Sequence, residues 1–593
     1  MIACDTPFIL LDDARISGAA PARLYRDPLE VIVAHEASDL PALFEQIRTA
    51  QASGMYVAGY LSYDAQPGRG IATEIASSAS QAPVAWFGIF NEYQEFSHDA
   101  VPSWLPDPRA SWMGMVYPDI SHSDYAKAFA KVQEYIRAGD IYQANLTFRA
   151  SAPYAGHPLA LYAALRSRAV AGYGGVIWTG EAWHLSFSPE LFFALKDGHV
   201  TTKPMKGTAE RQPDAPADLA ARSILQKDPK QRAENLMIVD LLRNDLSRVC
   251  VPGSVDVPEL FKIESYPTIH QMVSVVTGEI SPGKDAVDII KAIFPCGSIT
   301  GAPKIRAMEV IDELEESPRR LYCGSIGRID ADGSAAFNVA IRTFSLCEKQ
   351  KRVSLGLGSG VVADSTMRDE WAECLAKGEF AKVTGSNFDL IETMRFEPAE
   401  GILRLELHLE RMKESARALD FEFDRHEARN RLHAATFHLE IPSKLRLLLA
   451  RGGAVAVEIA DAPAPPKEPL NVSVVPLPVD SSDFRLMHKT TDRGFLDDAR
   501  IDAGTDEVLF ADKDGYLTEA SRSAIFVERG GKLATPPLSR GLLPGVLRRE
   551  LLEKGEAVEA DLCIEDLADG FFLGSSLRGL VAAKIVAQDG ASR

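Results

Sequence analysis

The length of the chain is the feature that most constrains how it can fold. It has 593 residues, whereas a single hydrophobic core stops growing at roughly 250–300 residues and longer chains divide into domains. The composition suits folded domains, because 46% of the residues are hydrophobic and 25% are charged, as in globular proteins and unlike disordered chains. We therefore expect at least two domains, each with its own core.

Charge and cysteine content exclude several classes of protein. The formal net charge is -19, and no basic block is present that could neutralise a nucleic acid or an anionic membrane surface. Seven cysteines without a C-x-x-C pair argue against a disulfide scaffold or a structural zinc site. The first residues contain no basic leader, and no segment reaches membrane-spanning length. We expect a cytoplasmic protein with no nucleic acid and no membrane partner.

The apolar pattern of the first half predicts a mixed fold. Residues 31–61 contain a β-rich run, a helical segment and a second β-rich run, which indicates a sheet packed with helices. A helix is predicted for residues 123–138, whose side chains Tyr125, Phe129 and Val132 share one face, with an end at Gly139. The chain is therefore assigned to the multidomain α+β class.

Two segments predict domain boundaries. The composition shifts near residues 384–387, where a helical pattern gives way to a strand-like run, and we place the main boundary between residues 384 and 385. The sequence DAPAPPKEP at residues 461–469 is too rich in proline for a helix or a central strand. The expected domains are residues 1–384 and 385–593, the second divided into subdomains at about 385–462 and 470–593.

The first domain carries a set of motifs in a fixed order. They are YIRAGDIYQANLT (135–147), FSPELFF (187–193), KPMKGTAER (203–211), AENLMIVDLLRNDLSRV (233–249), FPCGSITGAPKIRAMEVIDELE (294–315), FNVAIRTF (337–344) and GLGSGVVADSTMRDEWAECLAK (356–377). Together they resemble the chorismate-binding family, which includes anthranilate, aminodeoxychorismate, isochorismate and salicylate synthases. The resemblance covers most of residues 1–380 and implies an α/β sandwich fold with chorismate as the substrate.

Chorismate is a dicarboxylate, and the resemblance implies that a magnesium ion bridges one of its carboxylates to acidic side chains. Mg²⁺ is a hard cation that uses few protein ligands and keeps several waters. The family motifs assign the metal to Glu234 and Glu373. Glu370, Glu373 and Lys377 follow an i, i+3, i+7 spacing and share a helical face, so Glu370 joins the expected metal site. Alone, this pattern is typical of a solvated helix face.

The remaining contacts to chorismate are expected from cations, hydroxyls and small residues. Arg342 offers a bidentate fork for the second carboxylate, Tyr322 offers a hydroxyl, and small residues allow a close approach of the backbone. The GSITGAPK loop places Thr300 just before a helix start at Pro303, where amide groups can face an anion. The expected substrate-binding residues are Gln143, Thr300, Tyr322, Arg342, Gly358, Ser359, Gly360 and Lys377.

Two positions select among the chorismate reactions. Water-using members of the family carry a lysine where this chain has Gln143, which cannot act as a base. Anthranilate synthases carry alanine where this chain has Lys206, and a lysine there marks the aminodeoxychorismate enzymes, in which it is a nucleophile at ring carbon 2. Desolvation and neighbouring cations would lower its pKa. Glu190 then suits a general acid for the departing C4 hydroxyl, with ammonia entering at C4.

The first domain departs from the family pattern at two positions. An acidic residue common three positions before Glu234 is Gln231 here, which predicts weaker magnesium binding. The motif YPTIHQMVS has Gln271 where many relatives place a histidine, leaving His270 one position earlier. We assign no catalytic role to His270, since a packed core histidine fits the position equally well.

The second half carries its own ordered motifs. They are FDLIETMRF (388–396), LELHLERMKESARALDF (405–421), HKTTDRGFLDDAR (488–500), GYLTEASRSAIFV (515–527), TPPLSRGLLPGVLRREL (535–551) and FFLGSSLRGL (571–580). These resemble class IV pyridoxal-phosphate enzymes over residues 386–593, and imply a two-subdomain α/β fold. The cofactor needs a lysine, an acid beside its ring nitrogen and a phosphate cup. The matching positions are Lys489, Glu519, and Arg411 with the backbone at Val546 and Leu547.

Ala524 and Ser575 stand where relatives often have asparagine, which affects the expected fit of the substrate more than that of the cofactor. The motifs do not separate a lyase from an aminotransferase. The fusion to a chorismate enzyme favours a lyase, because aminodeoxychorismate lyase consumes the product of the first half. Members of this class commonly dimerise, so a homodimer through the C-terminal domain is expected.

The sequence therefore predicts an enzyme that makes 4-aminobenzoate from chorismate and ammonia in two steps, with Mg²⁺ and pyridoxal phosphate as cofactors. None of the seven cysteines lies in a glutaminase elbow, so a separate glutaminase subunit is expected to supply ammonia. One alternative is an anthranilate-type synthase fused to a branched-chain or D-amino-acid aminotransferase, against which Lys206 argues. Another is an inactive binding scaffold.

Overall fold

The structure is a computed structural model that describes residues 4–65, 82–266, 269–381 and 388–586. The chain forms two compact units. The first comprises Met1–Leu105, Met115–Ala152 and Tyr162–Lys382, and the second comprises Pro106–Gly114, Pro153–Leu161 and Val383–Arg593. The boundary predicted between residues 384 and 385 lies outside the described residues and stays a prediction.

The strands up to residue 361 are β1 (Phe8–Asp12), β2 (Ala22–Arg26), β3 (Glu30–Ala34), β4 (Tyr56–Leu61), β5 (Ala85–Phe90), β6 (Gln94–Phe96), β7 (Trp112–Met113), β8 (Tyr117–Pro118), β9 (Gln143–Ala155), β10 (Gly174–Trp178), β11 (Trp183–Ser186), β12 (Leu191–Lys196), β13 (His199–Lys203), β14 (Met205–Glu210), β15 (Asp256–Ser265), β16 (Ile269–Glu279), β17 (Gly301–Ala302), β18 (Ser325–Ile329), β19 (Ala335–Asn338), β20 (Thr343–Cys347) and β21 (Arg352–Val361). The helices of this part are α1 (Leu40–Ala52), α2 (Val101–Trp104), α3 (His122–Ala138), α4 (Pro158–Ala169), α5 (Ala215–Lys227), α6 (Pro229–Leu246), α7 (Ala286–Ile293), α8 (Lys304–Leu314) and α9 (Met367–Ala376).

Two sheets form the frame of the first unit. One runs in the order β17-β9-β21-β20-β11-β10-β1-β2-β6, and the other in the order β14-β16-β13-β12-β19-β18-β4-β5-β3 with β15 paired to β16. The strand pairs of the second sheet are antiparallel. Apolar side chains of both sheets, such as Ile9 and Tyr60, share one buried cluster. The predicted α+β class is confirmed for this unit.

The predicted helix and strand patterns hold in two places. Helix α1 buries Leu40, Leu43, Phe44 and Ile47, the i, i+3, i+4, i+7 spacing of an amphipathic helix. Helix α3 begins after Ser121, whose side chain accepts the N–H of Asp124, and ends at Gly139 with φ 82°. Glycine adopts this left-handed conformation readily because it has no Cβ.

The second unit adds strands β22 (Leu390–Glu397), β23 (Gly401–Ile402), β24 (Ser443–Leu449), β25 (Val455–Asp461), β26 (Leu470–Pro476), β27 (Glu507–Ala511), β28 (Leu517–Ala520), β29 (Ala524–Arg529), β30 (Lys532–Thr535), β31 (Ala557–Glu559), β32 (Phe571–Ser575) and β33 (Gly579–Ile585). Its helices are α10 (Leu405–Ala418), α11 (Arg425–Thr436), α12 (Phe484–Met487), α13 (Gly494–Ala503) and α14 (Val546–Glu553).

These strands form a small sheet, β23-β22-β24-β25, and a larger one, β28-β27-β26-β33-β32-β29-β30-β31. The proline-rich segment lies between β25 and β26, that is, between the last strand of the small sheet and the first of the larger one. Proline cannot donate a backbone hydrogen bond to a sheet, which agrees with a connecting role. The subdomain limits themselves stay a prediction.

The core of the second unit includes residues from two short segments of the first half of the chain. Trp112 and Ala155 belong to a buried cluster with Phe388, Phe421 and Phe484. The two are opposed in the β7–β9 pair. The guanidinium of Arg451 lies 5.2 Å from the ring centroid of Trp112 and 4.4 Å from that of Phe421. The second unit is therefore not built from one continuous stretch of sequence.

The helices of both units are of modest length or carry charged residues. Among the residues that the structure describes, no helix is both long enough and apolar enough to cross a bilayer.

Candidate functional sites

Lys206 lies at an irregular point of β14. The pairing of β14 with β16 shifts in register between Met205 and Thr208, and such irregularities redirect side chains out of the regular alternation. The half-buried side chain reaches toward Gly360 on β21. A Cβ added to Gly360 would lie 3.3 Å from Nζ of Lys206 and 2.8 Å from Nε2 of Gln143. The absence of a side chain at Gly360 thus leaves a space bordered by both polar groups.

The charges around Lys206 favour its neutral amine. Burial is the main cause that lowers the pKa of Lys206, and the positive charge of Lys377 lowers it further. The carboxylates of Glu234, Glu190 and Glu373 act in the opposite direction but do not cancel the shift. A larger fraction of the amine is therefore unprotonated at neutral pH than in an exposed lysine.

Glu190 is the buried acid of this cluster, with 3% of its surface exposed. Ser298 Oγ donates a hydrogen bond of 2.8 Å to its Oε1. Burial raises the pKa of Glu190 to about 7, while the bond from Ser298 and the charge of Lys206 oppose the rise. A carboxyl with this pKa is partly protonated near neutral pH and can donate a proton.

The three carboxylates expected to hold a metal also lie in this cluster. Burial raises the pKa of Glu234, with Glu373 and Glu370 contributing to the rise. Burial would also raise the pKa of Glu373, but the nearby Lys377 ammonium at 2.7 Å outweighs it and the pKa is lowered. Glu370 accepts from Ser365 Oγ at 2.6 Å through Oε1, while its buried Oε2 has no hydrogen-bond partner.

In the described part of the chain, no three His, Cys, Asp or Glu side chains are close enough to form a metal site by themselves. Magnesium needs no such cage, because it is usually held by one or two carboxylates, waters and the substrate. Glu234 and Glu373, with the unbonded oxygen of Glu370 behind them, fit that donor set.

The loop from Gly297 to Ala302 borders the cluster. Buried Thr300 donates through Oγ1 to the carbonyl of Cys296 at 3.2 Å. Gly301 and Ala302 form β17, which pairs with Ala144 and Gln143 of β9. Oε1 of Gln143 is buried without a hydrogen-bond partner, and such groups in native structures require an explanation such as a ligand.

Strand β21 contributes the small residues of the site. Ser359 is fully buried and its Oγ has no hydrogen-bond partner. Lys377 Nζ donates to the carbonyl of Gly358 at 2.9 Å. The ring of Tyr322 packs on the same strand, since a Cβ added to Gly356 would lie 2.1 Å from it. Burial raises the pKa of Tyr322 well above its usual value, so its hydroxyl stays protonated and can donate.

Arg342 is not brought into direct contact with the cluster. Its guanidinium lies 5.8 Å from the ring centroid of Phe380, and its carbonyl accepts from the N–H of Phe187 at 3.0 Å. No described contact joins it to Lys206 or Glu190. Burial lowers the pKa of this half-buried cation. Its role in binding the substrate stays a prediction.

The two departures from the family pattern are packed into the structure. His270 is 2% exposed and bonds Ser265 Oγ at 2.8 Å and Asp218 Oδ1 at 3.0 Å. Gln271 Nε2 donates to the carbonyl of Gly207 at 2.8 Å. Oε1 of Gln231 lies beside the same residue, 2.9 Å from the position of an added Cβ. Gln271 and Gln231 therefore shape the backbone next to Lys206.

In the second unit, Lys489 lies in a separate polar cluster. Its half-buried Nζ donates to Thr393 Oγ1 at 3.1 Å. Burial lowers the pKa of Lys489 to about 7, and the charges of Arg411 and Arg493 add to the effect. Glu392 opposes it. The amine is nucleophilic near neutral pH, as a lysine that binds a carbonyl cofactor must be.

Arg411 is fixed by a buried carboxylate. Its Nε and Nη2 donate to Glu392 Oε1 and Oε2 at 2.8 and 2.6 Å. His408 bonds Glu392 Oε2 through Nδ1 at 2.6 Å and Ser576 Oγ through Nε2 at 2.7 Å. Burial would raise the pKa of Glu392, but the charges and hydrogen bonds of Arg411 and His408 together outweigh it and hold the pKa at about 2. Glu392 is therefore ionised at physiological pH.

The third nitrogen of Arg411 is directed at the start of α14. Nη1 donates to the carbonyl of Pro544 at 3.1 Å, and the helix begins at Val546 after Gly545, which caps it without a side-chain bond. The N–H groups of Val546 and Leu547 are in the first turn, where no intrahelical acceptor exists. A cation beside free amides at a helix N-terminus fits a phosphate group.

Glu519 completes this second cluster. It is 4% exposed, and its Oε1 accepts from Arg493 Nη2 at 3.2 Å. Burial raises its pKa, while Arg493 and Arg411 oppose the rise. Arg411 and Arg493 thus act on both Lys489 and Glu519. Ala524 and Ser575 lie on β29 and β32, which pair with each other through Ala524 and Gly574.

Three site residues were missed at the level of sequence although each stands in a motif quoted above. Ser298 is in GSITGAPK, Glu392 is in FDLIETMRF and Arg493 is in HKTTDR. Because all three residues lie inside these motifs, the motifs could have marked them as candidates. Their roles depend on partners that are 108, 19 and 26 residues away, which spacing alone does not reveal.

Comparison with known proteins assigns a family to each half of the chain. Residues 13–382 match the family model of the chorismate binding enzyme, and residues 389–586 match that of amino-transferase class IV. Aminodeoxychorismate synthase component 1 of Klebsiella aerogenes is 43% identical over 259 residues, which are 44% of this chain and 57% of that protein. Anthranilate synthase component 1 of Saccharolobus solfataricus is 33% identical over 365 residues, 59% of this chain and 84% of that protein.

A solved structure is also similar. Anthranilate synthase component I from Streptococcus pneumoniae matches with a TM-score of 0.52 and 26% identity, over 64% of this chain and 94% of that chain. The first unit therefore has the fold of these enzymes. The chain spans only 57% and 62% of the length of two curated aminodeoxychorismate synthase relatives.

Proposed function

Because the chain belongs to the chorismate binding enzyme family through residues 13–382, we propose that this part aminates chorismate to 4-amino-4-deoxychorismate. We propose further that the class IV aminotransferase domain, residues 389–586, removes pyruvate from this product to give 4-aminobenzoate. The observation that carries the first step is that Lys206 interacts electrostatically with Glu190 and that its Nζ lies 3.3 Å from a Cβ built on Gly360.

The proposed amination uses the two perturbed groups of the first cluster. The neutral amine of Lys206 forms a bond to ring carbon 2, the ring double bonds shift, and the C4–O bond breaks. Glu190, whose pKa is about 7, gives the proton with which the hydroxyl leaves as water. Ammonia then bonds to C4, and the bond between Lys206 and carbon 2 breaks, so that the amine is regenerated.

Other chorismate reactions fit these residues less well. Gln143 has no basic group with which to activate water, which disfavours isochorismate and salicylate formation. Anthranilate synthases lack a lysine at the position of Lys206 and attach ammonia to carbon 2. A free amine at that place would compete with ammonia for carbon 2, so Lys206 supports amination at C4.

Glu234 and Glu373 would hold the magnesium ion, with Glu370 beside them. The ion would supply charge neutralisation for one substrate carboxylate. Lys377 bonds both Glu373 and the carbonyl of Gly358, and would keep α9, which carries Glu370 and Glu373, close to β21.

The second reaction would use the cluster around Lys489. Arg411 and the amides of Val546 and Leu547 would hold the phosphate of pyridoxal phosphate, and Glu519 would face its ring nitrogen. The cofactor supplies an electron sink for the substrate carbon that bears the amine. Lys489 Nζ removes the proton from C4, a proton is returned to the enolpyruvyl methylene, and the C3–O bond breaks as the ring becomes aromatic.

The ammonia would come from a separate protein. Relatives of the first half are named as component 1 of their enzymes, and no cysteine of this chain lies in a glutaminase elbow. We propose a glutamine amidotransferase subunit as the partner. The isolated chain should use ammonium salts and not glutamine. A homodimer formed through the C-terminal domain is part of the same proposal.

The test is to supply chorismate, magnesium and ammonium to the purified protein loaded with pyridoxal phosphate, and to identify the aromatic product. 4-Aminobenzoate together with pyruvate supports both steps. Anthranilate or isochorismate would contradict the first step, and aminodeoxychorismate that accumulates without 4-aminobenzoate would contradict the second.

A further inference from the structure

A buried ion pair lies behind the chorismate cluster, outside the residues assigned above. Arg319 Nε donates to Glu315 Oε2 at 2.8 Å, and its Nη2 donates to Oε1 at 2.6 Å. Only 2% of the Arg319 side chain and 6% of the Glu315 side chain are exposed. The guanidinium also lies 4.5 Å from the ring centroid of Tyr63. Both side chains are thus held in one orientation.

The other donors of Arg319 hold two backbone segments of the site. Nη1 donates to the carbonyl of Ile299 at 2.8 Å, and Nη2 donates to the carbonyl of Asn145 at 2.5 Å. Ile299 precedes Thr300, and Asn145 follows Gln143 by two residues on β9. The N–H of Asn145 donates to the carbonyl of Thr300 at 2.7 Å. One guanidinium therefore joins the 297–302 loop to the strand that carries Gln143.

Glu315 extends the same connection to β21, through Thr147 of β9. Its Oε1 accepts from the N–H of Thr147 at 2.8 Å and from Thr147 Oγ1 at 2.9 Å. Thr147 in turn packs on β21, since a Cβ added to Gly358 would lie 2.5 Å from its Cγ2. The ion pair thus contacts the 297–302 loop and β9 directly, and it contacts β21 through Thr147.

We propose that Arg319 and Glu315 are positioning residues that hold the chorismate-binding backbone in register, and that neither takes part in the chemistry. Burying two charges costs solvation free energy, and apolar residues of similar volume often stabilise a core equally well. The planar fork of arginine can serve a carboxylate and two carbonyls at once, which the single ammonium of lysine cannot do with the same geometry. This inference rests on the proposed amination of chorismate.

The experiment compares Arg319→Lys and Glu315→Gln with wild type in the full-length protein. Both variants should lower kcat/KM for chorismate, by about 10²-fold for Arg319→Lys, since misplaced binding groups cost on that order. Most of the loss should appear as a higher KM. The pH dependence of kcat should keep its shape, because the pair does not touch Glu190 or Lys206.

Arg166→Lys is the matched control. Arg166 forms a similarly buried bidentate pair with Asp12, at 2.6 and 2.9 Å, in the same unit, and no described contact links it to the site residues. It should lose thermal stability to a similar degree while the KM for chorismate stays at the wild-type value. The second reaction, measured on supplied aminodeoxychorismate, should be unchanged in all three variants and shows that the second unit is intact, whereas the thermal transition reports on the folding of the first unit.

The outcomes separate the two hypotheses. Wild-type protein that does not aminate chorismate would contradict the proposed function. If wild type is active and Arg319→Lys keeps its KM for chorismate within about twofold of that of Arg166→Lys, the positioning role is wrong. Should Arg319→Lys not fold, the isosteric Glu315→Gln decides: a loss no greater than that of Arg166→Lys overturns the inference, and a selective rise in KM supports it.

Discussion

Ser298 donates a hydrogen bond of 2.8 Å to Glu190, the buried carboxyl beside Lys206. The two residues are 108 positions apart, and the fold brings them together. Burial raises the pKa of Glu190 to about 7, and the bond from Ser298 limits that rise because it stabilises the carboxylate. Ser298 therefore contributes to the pH at which the proposed general acid loses its proton.

The first prediction concerns this pH. At a constant concentration of free ammonia, amination by wild type should fall as the pH rises past about 7, where Glu190 becomes ionised. Ser298→Ala removes a donor to the carboxylate, so the pKa of Glu190 rises and the fall should move to higher pH, by about one pH unit or less. Glu190→Gln should show no such fall. A shift to lower pH, or none, would contradict the assignment.

The second prediction concerns Lys206→Ala. If Lys206 is the nucleophile, kcat for amination should drop by more than about 10²-fold, whereas the magnesium-dependent binding of chorismate, measured by calorimetry, should change little. Lys203→Ala is the control in the same peptide, because Lys203 pairs with Glu264 at 2.6 Å, and it should stay active. Strongly weakened binding with normal turnover at saturation would indicate a purely electrostatic role. Mass spectrometry of protein trapped with chorismate should find an adduct on the peptide KPMKGTAER.

The third prediction concerns the pKa of Lys489, which is lowered to about 7. When pyridoxal phosphate is added to cofactor-free protein, the rate at which visible absorbance develops should rise through pH 7, as the amine loses its proton. It should then level off, whereas an ordinary lysine with a pKa of about 10.4 would keep gaining reactivity up to that pH. Lys489→Ala should develop no such absorbance, and Lys513→Ala, on an exposed turn, should behave as wild type. A rate that still climbs at pH 9 would contradict the lowered pKa.

The fourth prediction concerns the carboxylate that orients Arg411. Glu392→Gln keeps the shape of the side chain but removes its charge, so Arg411 loses its buried counter-ion. Because hydrogen bonds to charged groups contribute about 1.5–3 kcal/mol, the Kd for pyridoxal phosphate should rise about tenfold or more. Glu406→Gln, which removes one partner of the exposed Arg425 and Arg429 pairs, should leave the Kd unchanged. An equal Kd in both variants would show that the pair does not support the phosphate site.

The fifth prediction concerns Trp112, which is 4% exposed in the core of the second unit. Trp112→Ala should lower the free energy of unfolding of that unit by about 3–5 kcal/mol, as for other large aromatic side chains truncated in a core. A denaturant titration, with the release of bound cofactor as the signal, measures this free energy of unfolding. Trp104→Ala removes a ring that stacks on Phe96 in the first unit. It should not change the denaturant concentration at which the cofactor is released. Cofactor release at the wild-type denaturant concentration in Trp112→Ala would contradict this assignment of the segment.

Local patterns in the sequence were sufficient for individual elements. The spacing of Tyr125, Phe129 and Val132 and the stop at Gly139 predicted α3 almost to the residue, because a helix is determined by neighbours within four positions. The motifs likewise made Lys206, Glu190 and Lys489 candidates, because each stands in a short segment that resembles a family motif. Their catalytic roles stay predictions.

Contacts between distant segments could not be predicted in this way. The guanidinium of Arg342 lies 5.8 Å from the ring centroid of Phe380, and its expected role at a chorismate carboxylate stays a prediction. Arg319 was not expected at the site, although it bonds the carbonyls of Ile299 and Asn145. Trp112 is far from Phe388, Phe421 and Phe484 in the sequence, yet it is buried in one cluster with them in the second unit. Residue spacing contains no information on which strand pairs with which.

The sequence by itself determined the class of each half, through its motifs, and the local helices, through short spacing, and it predicted the candidate reactive groups by their resemblance to family motifs. Only the tertiary structure decided that Ser298 meets Glu190, that Glu392 holds Arg411 and that Lys206 is surrounded by charge. These contacts set the pKa values, since desolvation and Coulomb interactions depend on distance in space. The chemistry available to each group is therefore a property of the fold, and its position in the chain is a property of the sequence.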